Sequence, residues 1–411
     1  MFKEFSIFTL SNGIRVIHQN YTHSNVCHLG IIVNAGSGDE TKEEHGLAHF
    51  IEHVIFKGTK TNNAFDILSR IDSVGGEINA YTTKEDTCVF AAFLKEHYDI
   101  SVDLLADIFF NSTFPKKEIE KEKVVIVDEI QSYMDSPSDM ISEDFERLLF
   151  PNHSIGRDIL GTKESIQNFT QKDIRNFMQK HYTLNNFVVS SVGNISQKEL
   201  TIKLENAFGK YAVPTGNIEK KKVIPAFGFH KTYKKKTSQS HYVLGNSAYA
   251  LKDNKKTAMT LLTNVLGGPA MNSILNLEIR EKHGLTYNIE ANYSPFIEAG
   301  MFSIYLGTDK TQLDKTVSLV KKELKKLRDK KLTSQQLAAA KQQIIGQITM
   351  ANENRSSVML SHGKSLVTYN KVDLLSEIYT KINAITSKQI QDIANEVFDE
   401  RKMSELVYLN R

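Results

Sequence analysis

Two histidines four residues apart, His49 and His53, with Glu52 beside the second, are the residues of this 411-residue sequence best suited to chemistry. They lie in HGLAHFIEHVIFKG, a segment of good helix formers stopped by Gly58. On a helix, side chains at i and i+4 project from one face about a turn apart, so both imidazoles reach one ion. Zinc favours such nitrogen ligands, and a catalytic zinc site takes three protein ligands and keeps a position for water. Glu52 borders the same face, where a carboxylate takes the proton from water at the metal. The order H-x-x-E-H is the inverse of H-E-x-x-H. A third ligand is then needed, and the best candidate is Glu129. It stands seven residues after Glu122 in the helical stretch Lys116 to Tyr133, so the two carboxylates share one face. His45, one turn before the motif, has no evident partner, and His153 and His283 fall in turn-like segments and read as structural.

The elements that must position these residues come in two copies. Thr170-Gln-Lys-Asp-Ile174 leads through Phe177 and Tyr182 into a strand-like FVVSSV, and Thr386-Ser-Lys-Gln-Ile390 leads through Ile393 and Phe398 into ELVYL, with Lys172 and Lys388 216 positions apart. TCVFAAFL at Thr87 to Leu94 with its following helix resembles GMFSIYLG at Gly300 to Gly307 with its own. The stretches around Ile119 and Leu337 are 218 apart. Three matches in order at a nearly fixed offset indicate a duplicated domain of about 200 residues. Hairpin-like neighbours such as Gly76 to Thr82 and Thr87 to Leu94 predict antiparallel sheets packed with helices, an α+β fold. The expected division is 1–213, a polar linker at 214–230 with the run Lys220-Lys-Lys222, and 231–411.

Composition narrows the partners. Hydrophobic residues at 40% and charged residues at 24% exclude a disordered or fibrous chain, and a net charge of +3 gives no global field for nucleic acid or an anionic membrane. Two cysteines, Cys27 and Cys88, are too few for a disulfide framework or a Cys-rich zinc site. The apolar runs Phe187 to Val192 and Val124 to Val127 fall far short of the ~18 residues that span a bilayer. The start, MFKEFSIFTLSNGIRV, alternates like a strand and lacks a signal-peptide pattern, so a cytoplasmic location is expected.

HFIEH, 75 intervening residues and then Glu129 in EKEKVVIVDEIQ resemble the zinc peptidases of the pitrilysin, insulinase and mitochondrial processing peptidase family. GLAHFIEHVIFKGT, GGEINAYTTKEDT, FPNHSIGRDILGT and, in the second half, LGGPAMNSILNLEIREKHGLTY are similar to that family as well. The resemblance implies that His49, His53 and Glu129 bind Zn²⁺, that Glu52 is the general base, and that Glu122 orients a ligand histidine. It implies that Arg280 and Tyr287 hydrogen-bond the substrate near the scissile carbonyl. It also makes Glu77 to Thr83 an edge strand on which the substrate lies, with Asn79 and Ala80 near the reacting bond. The activity so implied is that of a zinc metalloendopeptidase cutting peptides or unfolded segments in an enclosed chamber. Aligned on the repeat, Gln347 stands in place of Glu129 and Ala340 in place of Glu122, and no H-x-x-E-H follows residue 53. The second half is therefore expected to lack the metal. Family members of this length form half of a clamshell, which implies a homodimer with Arg280 and Tyr287 facing the partner's zinc. The alternatives are a heterodimer with a degenerate relative, a non-catalytic peptide-binding or scaffold subunit, and a metal-dependent hydrolase of non-peptide substrates.

Overall fold

Helix starts are written into this chain as side-chain caps. Asn63, Thr162, Thr170 and Thr386 each accept a hydrogen bond from a backbone N–H three residues on, and the residue there answers the cap in return. The computed structural model describes residues 5–216 and 220–411, so the first four residues of the expected opening strand and positions 217–219 of the linker lie outside it. Its strands are β1 (Ser6–Thr9), β2 (Arg15–Asn20), β3 (Val26–Val33), β4 (Glu77–Thr82), β5 (Thr87–Leu94), β6 (Phe187–Gly193), β7 (His230–Lys235), β8 (Ser240–Ala248), β9 (Ile289–Pro295), β10 (Gly300–Thr308) and β11 (Ser404–Asn410). The first helices are α1 (Leu47–Val54), α2 (Ala64–Asp72), α3 (Tyr98–Asn111), α4 (Lys116–Met134), α5 (Pro137–Leu149), α6 (Lys163–Asn168), α7 (Gln171–His181) and α8 (Gln197–Phe208). They are followed by α9 (Lys256–Gly267), α10 (Leu313–Asp329), α11 (Ser334–Ala351), α12 (Arg355–Tyr369), α13 (Leu375–Asn383) and α14 (Ser387–Val397).

The strands form two sheets, in the orders β1-β2-β6-β3-β5-β4 and β7-β11-β8-β10-β9. Apart from β1, the second order repeats the first strand for strand, which is the duplication read from the sequence. Pairing is antiparallel except for β2 with β6 and β7 with β11. Those parallel pairs qualify the expected antiparallel sheets: the last strand of each copy arrives after a long helical excursion, and such crossovers permit parallel pairing.

The chain divides into two compact units, Met1–Ile130 with Asp158–Glu219 and Met350–Leu374, and Gln131–Arg157 with Lys220–Thr349 and Leu375–Arg411. Unit 1 includes α12, which follows position 219 in sequence, and unit 2 includes α5, which precedes it. In unit 1, α12 from the second half covers β3 and β6; in unit 2, α5 from the first half covers β8 and β11. The central strands of each sheet are consequently buried on both faces. β6 reads FVVSSVG without alternation because every one of its residues is buried.

Close approach of the borrowed helices requires small residues on the strands. A Cβ on Gly30 of β3 would come within 2.9 Å of Met359 Sδ on α12, and one on Gly245 of β8 within 2.8 Å of the Phe145 ring on α5. Polar contacts fasten α12 further. Ser190 Oγ donates to the Met359 carbonyl at 2.6 Å, and Arg15 donates to the Leu366 carbonyl at 3.2 Å and to Asn370 Oδ1 at 3.0 Å. In unit 2, Val223 from the later part of the linker joins the buried cluster of Ile141, Phe145 and Leu149 beneath α5.

Candidate metal centre

Helix α1 is only eight residues long, and its Gly46 N-cap has no side chain to satisfy the first backbone donors. Glu40 does this from a distance: its buried carboxylate accepts from Gly46 N–H at 2.9 Å and Ala48 N–H at 2.8 Å. The negative charge also suits the positive end of the helix. Leu47, Ala48, Phe50, Ile51 and Val54 are buried in the core of unit 1, which fixes the helix's rotation and leaves His49 and His53 on a common face. Their rings lie 4.7 Å apart between centroids.

The carboxylates come from α4, whose buried stripe runs Ile119, Glu122, Ile126 and Ile130 at helical spacing. Glu122 is thus held inside a largely apolar row, and Glu129, beside Ile130, stands at the row's exposed edge. His49 Nε2 is 3.9 Å and His53 Nε2 3.5 Å from Glu129 Oε2. His53 Nδ1 lies 3.2 Å from Glu122 Oε2, and Lys57 Nζ lies 2.9 Å from Glu122 Oε1. Because a carboxylate only accepts, Nδ1 is the donor in the Glu122 contact, which leaves Nε2 as the ring nitrogen facing Glu129.

The donor set fits zinc. One atom from each of His49, His53 and Glu129 lies within 4.8 Å of the other two. The 3.5 and 3.9 Å separations approach the edge of a tetrahedron built on bonds of about 2.0–2.1 Å. Burial, with the nearby His53 charge adding to it, holds His49 down at about 3, so its imidazole is in the neutral form that binds metal. Burial acts to raise Glu122, but hydrogen bonds from His53 and Lys57 outweigh it and keep the carboxyl below its ordinary range. Burial pushes Glu52 above that range, and the Glu129 charge adds to the rise, while the Thr82 hydroxyl and the His53 charge oppose it. Glu52 Oε2 is buried without a hydrogen-bond partner, a carboxylate oxygen left available for a proton.

The structure therefore brings together His49, Glu52, His53, Glu122 and Glu129. Asn79 and Ala80 lie on β4, which packs beside α1 and pairs with β5 alone at the sheet's edge. The Ala80 N–H is held by Asn79 Oδ1 at 2.8 Å. Arg280 and Tyr287 belong to unit 2: Arg280 lies in a π-helical turn, Asn276–Glu281, and Tyr287 is 93% exposed. His45, His153 and His283 are engaged with the Asp158 carbonyl, the Ile155 N–H and the Glu278 carbonyl, respectively. Sequence reasoning missed Lys57 and Glu40. The i+4 spacing of Lys57 from His53 was an available signal; the Glu40 cap had none.

Residues 15–163 match the family model described as Insulinase (Peptidase family M16), and residues 168–344 match the Peptidase M16 inactive domain. The chain is 36% identical to an uncharacterized zinc protease, YmxG, of Bacillus subtilis over 96% of this chain and 95% of that protein. It is 32% identical to an uncharacterized zinc protease of Rickettsia bellii over 99% and 98%. A protease from Helicobacter pylori superposes with a TM-score of 0.90 at 22% identity, covering 98% of this chain and 99% of that one. A peptidase M16 inactive domain from Pseudomonas fluorescens superposes at 0.91 with 19% identity, covering 99% and 98%. Among the described residues no helix is long and apolar enough to cross a membrane.

Proposed function

Because this chain belongs to peptidase family M16, we propose that it is a zinc-dependent endopeptidase acting on peptides or unfolded segments, with His49, His53 and Glu129 as ligands and Glu52 as general base. The observation that carries the reading is the convergence of three donor atoms beside a buried carboxylate with an unpartnered oxygen. A zinc ion held there supplies Lewis acidity, polarising a carbonyl and making nearby water more acidic. Glu52, its affinity for protons raised by burial, takes a proton from the attacking water and delivers it to the departing amine. The free edge of β4 supports an extended peptide by backbone hydrogen bonding, which gives affinity with little sequence preference. Arg280 and Tyr287 stabilise charge growing on the carbonyl oxygen. Its two free, buried thiols suit a cytoplasmic setting.

The test is zinc analysis with digestion of a mixed peptide pool by wild type and Glu52→Gln. Both proteins bind zinc, and cleavage falls by about 10²- to 10⁴-fold in the variant; undiminished cleavage sinks the mechanism. We further propose a homodimer in which Arg280 and Tyr287 serve the partner's site, a reading supported by their location outside the metal-binding unit. Mixing Glu52→Gln with Arg280→Ala chains then restores activity above either parent. A mixture no better than its parents rejects action in trans.

A further inference from the structure

The polar chain behind the zinc ligands does not stop at Glu122. Its other carboxylate oxygen meets Lys57 Nζ at 2.9 Å, while the first meets His53 Nδ1 at 3.2 Å. The Glu122 side chain is 8% exposed and that of Lys57 25%, so this is not a solvated surface pair. Water screens it weakly, and removing one partner leaves a buried charge uncompensated. Lys57 sits beyond the end of α1, and an N–H of Lys57 bonds the Val54 carbonyl at 3.1 Å, so the turn that carries it is fastened to the histidine helix. The cation therefore reaches across from the ligand helix to the helix that supplies the carboxylates.

We propose that Lys57 is a positioning residue for the metal centre: it anchors one Glu122 oxygen so that the other holds His53 with Nδ1 protonated and Nε2 turned toward Glu129. Lys57 touches neither metal nor substrate in this role. It acts by fixing the orientation and tautomer of one ligand, and such outer partners commonly govern affinity by about 10- to 100-fold. The proposal rests on the zinc reading given above.

The experiment measures zinc affinity by competition with a chromophoric chelator, in a Glu52→Gln background so that turnover plays no part. Lys57→Met weakens zinc by about 10- to 100-fold and Lys57→Arg restores most of the loss. Glu122→Gln produces a loss of similar size, and the double variant Lys57→Met/Glu122→Gln loses little more than either single change, because both act through one chain of contacts. Thermal unfolding of the apo proteins verifies folding; should Lys57→Met fail to fold, Lys57→Gln carries the same comparison. Unchanged affinity in the Lys57 variants, or losses that add fully in the double variant, overturn the positioning role while leaving the zinc reading intact. If the parent protein binds no zinc, that reading falls and the positioning role falls with it.

Discussion

Units 1 and 2 share a five-strand order, yet among the described residues the cluster of metal donors lies in unit 1. At the 218-residue offset of the repeat, the buried stripe Ile119, Glu122, Ile126 on α4 becomes Leu337, Ala340, Ile344 on α11. The flanking positions keep their apolar character and one carboxylate becomes a methyl group. On α9, Met259, Leu262, Thr263 and Leu266 are buried, and the helix has no histidine. The fold is therefore indifferent to the site. Burying Glu122 is tolerated in unit 1 because His53 and Lys57 satisfy it, whereas unit 2 avoids that desolvation by filling the position with carbon.

The largest expected break in this contrast comes from unit 1. His53→Ala removes a proposed ligand, so zinc content is expected to collapse and peptide cleavage to fall by several powers of ten; a chelator has the same expected effect on wild type, and added zinc reverses it. Retained stoichiometric zinc in His53→Ala contradicts the ligand assignment. A smaller effect tests unit 2. Ala340→Glu inserts a carboxyl at a position only 7% exposed, costing about 3 kcal/mol and lowering the thermal midpoint. Even joined to Gln347→Glu it recruits no second zinc, since α9 offers no imidazole; a second bound equivalent means the two units are closer in chemistry than their cores suggest.

The smallest effect concerns the borrowed helices. On α12, His362 packs against Phe5 with ring centroids 5.1 Å apart, its Nδ1 is buried without a partner, and burial lowers it to about 4; α5 carries no histidine. The native imidazole resists protonation that the unfolded chain accepts near 6.5, so its stabilisation is full above about pH 6.5 and is lost as pH falls towards about 4. His362→Leu flattens the stability profile in that window by up to about 1.4 kcal/mol per pH unit. An unaltered slope in urea titrations between those values rules out this source of acid sensitivity.

Much of this was legible because periodicity carries information along one element. The i, i+4 histidines and the seven-residue spacing of Glu122 and Glu129 name faces of helices, and the structure turns those faces together. The repeat offset likewise anticipated a shared topology. Long-range partnership left no such trace. Pro137–Leu149 is amphipathic whichever sheet it covers, so nothing local assigns α5 to unit 2. Glu40 caps α1 from across a turn, and although Lys57 stands four residues after His53, its partner Glu122 lies on another helix that no local spacing names.

The loan of α12 bears on how the protein is made. Synthesis runs from the N-terminus, and domains ordinarily fold as they emerge. Here the cover of the unit 1 sheet over Ile32, Val188 and Val192 is encoded at Arg355–Tyr369 of a 411-residue chain. Until that stretch leaves the ribosome, unit 1 presents an apolar sheet face to solvent and to chaperones. The half that carries the candidate metal centre is translated first and its sheet is covered late, so completion of unit 1 waits until Tyr369 has been made.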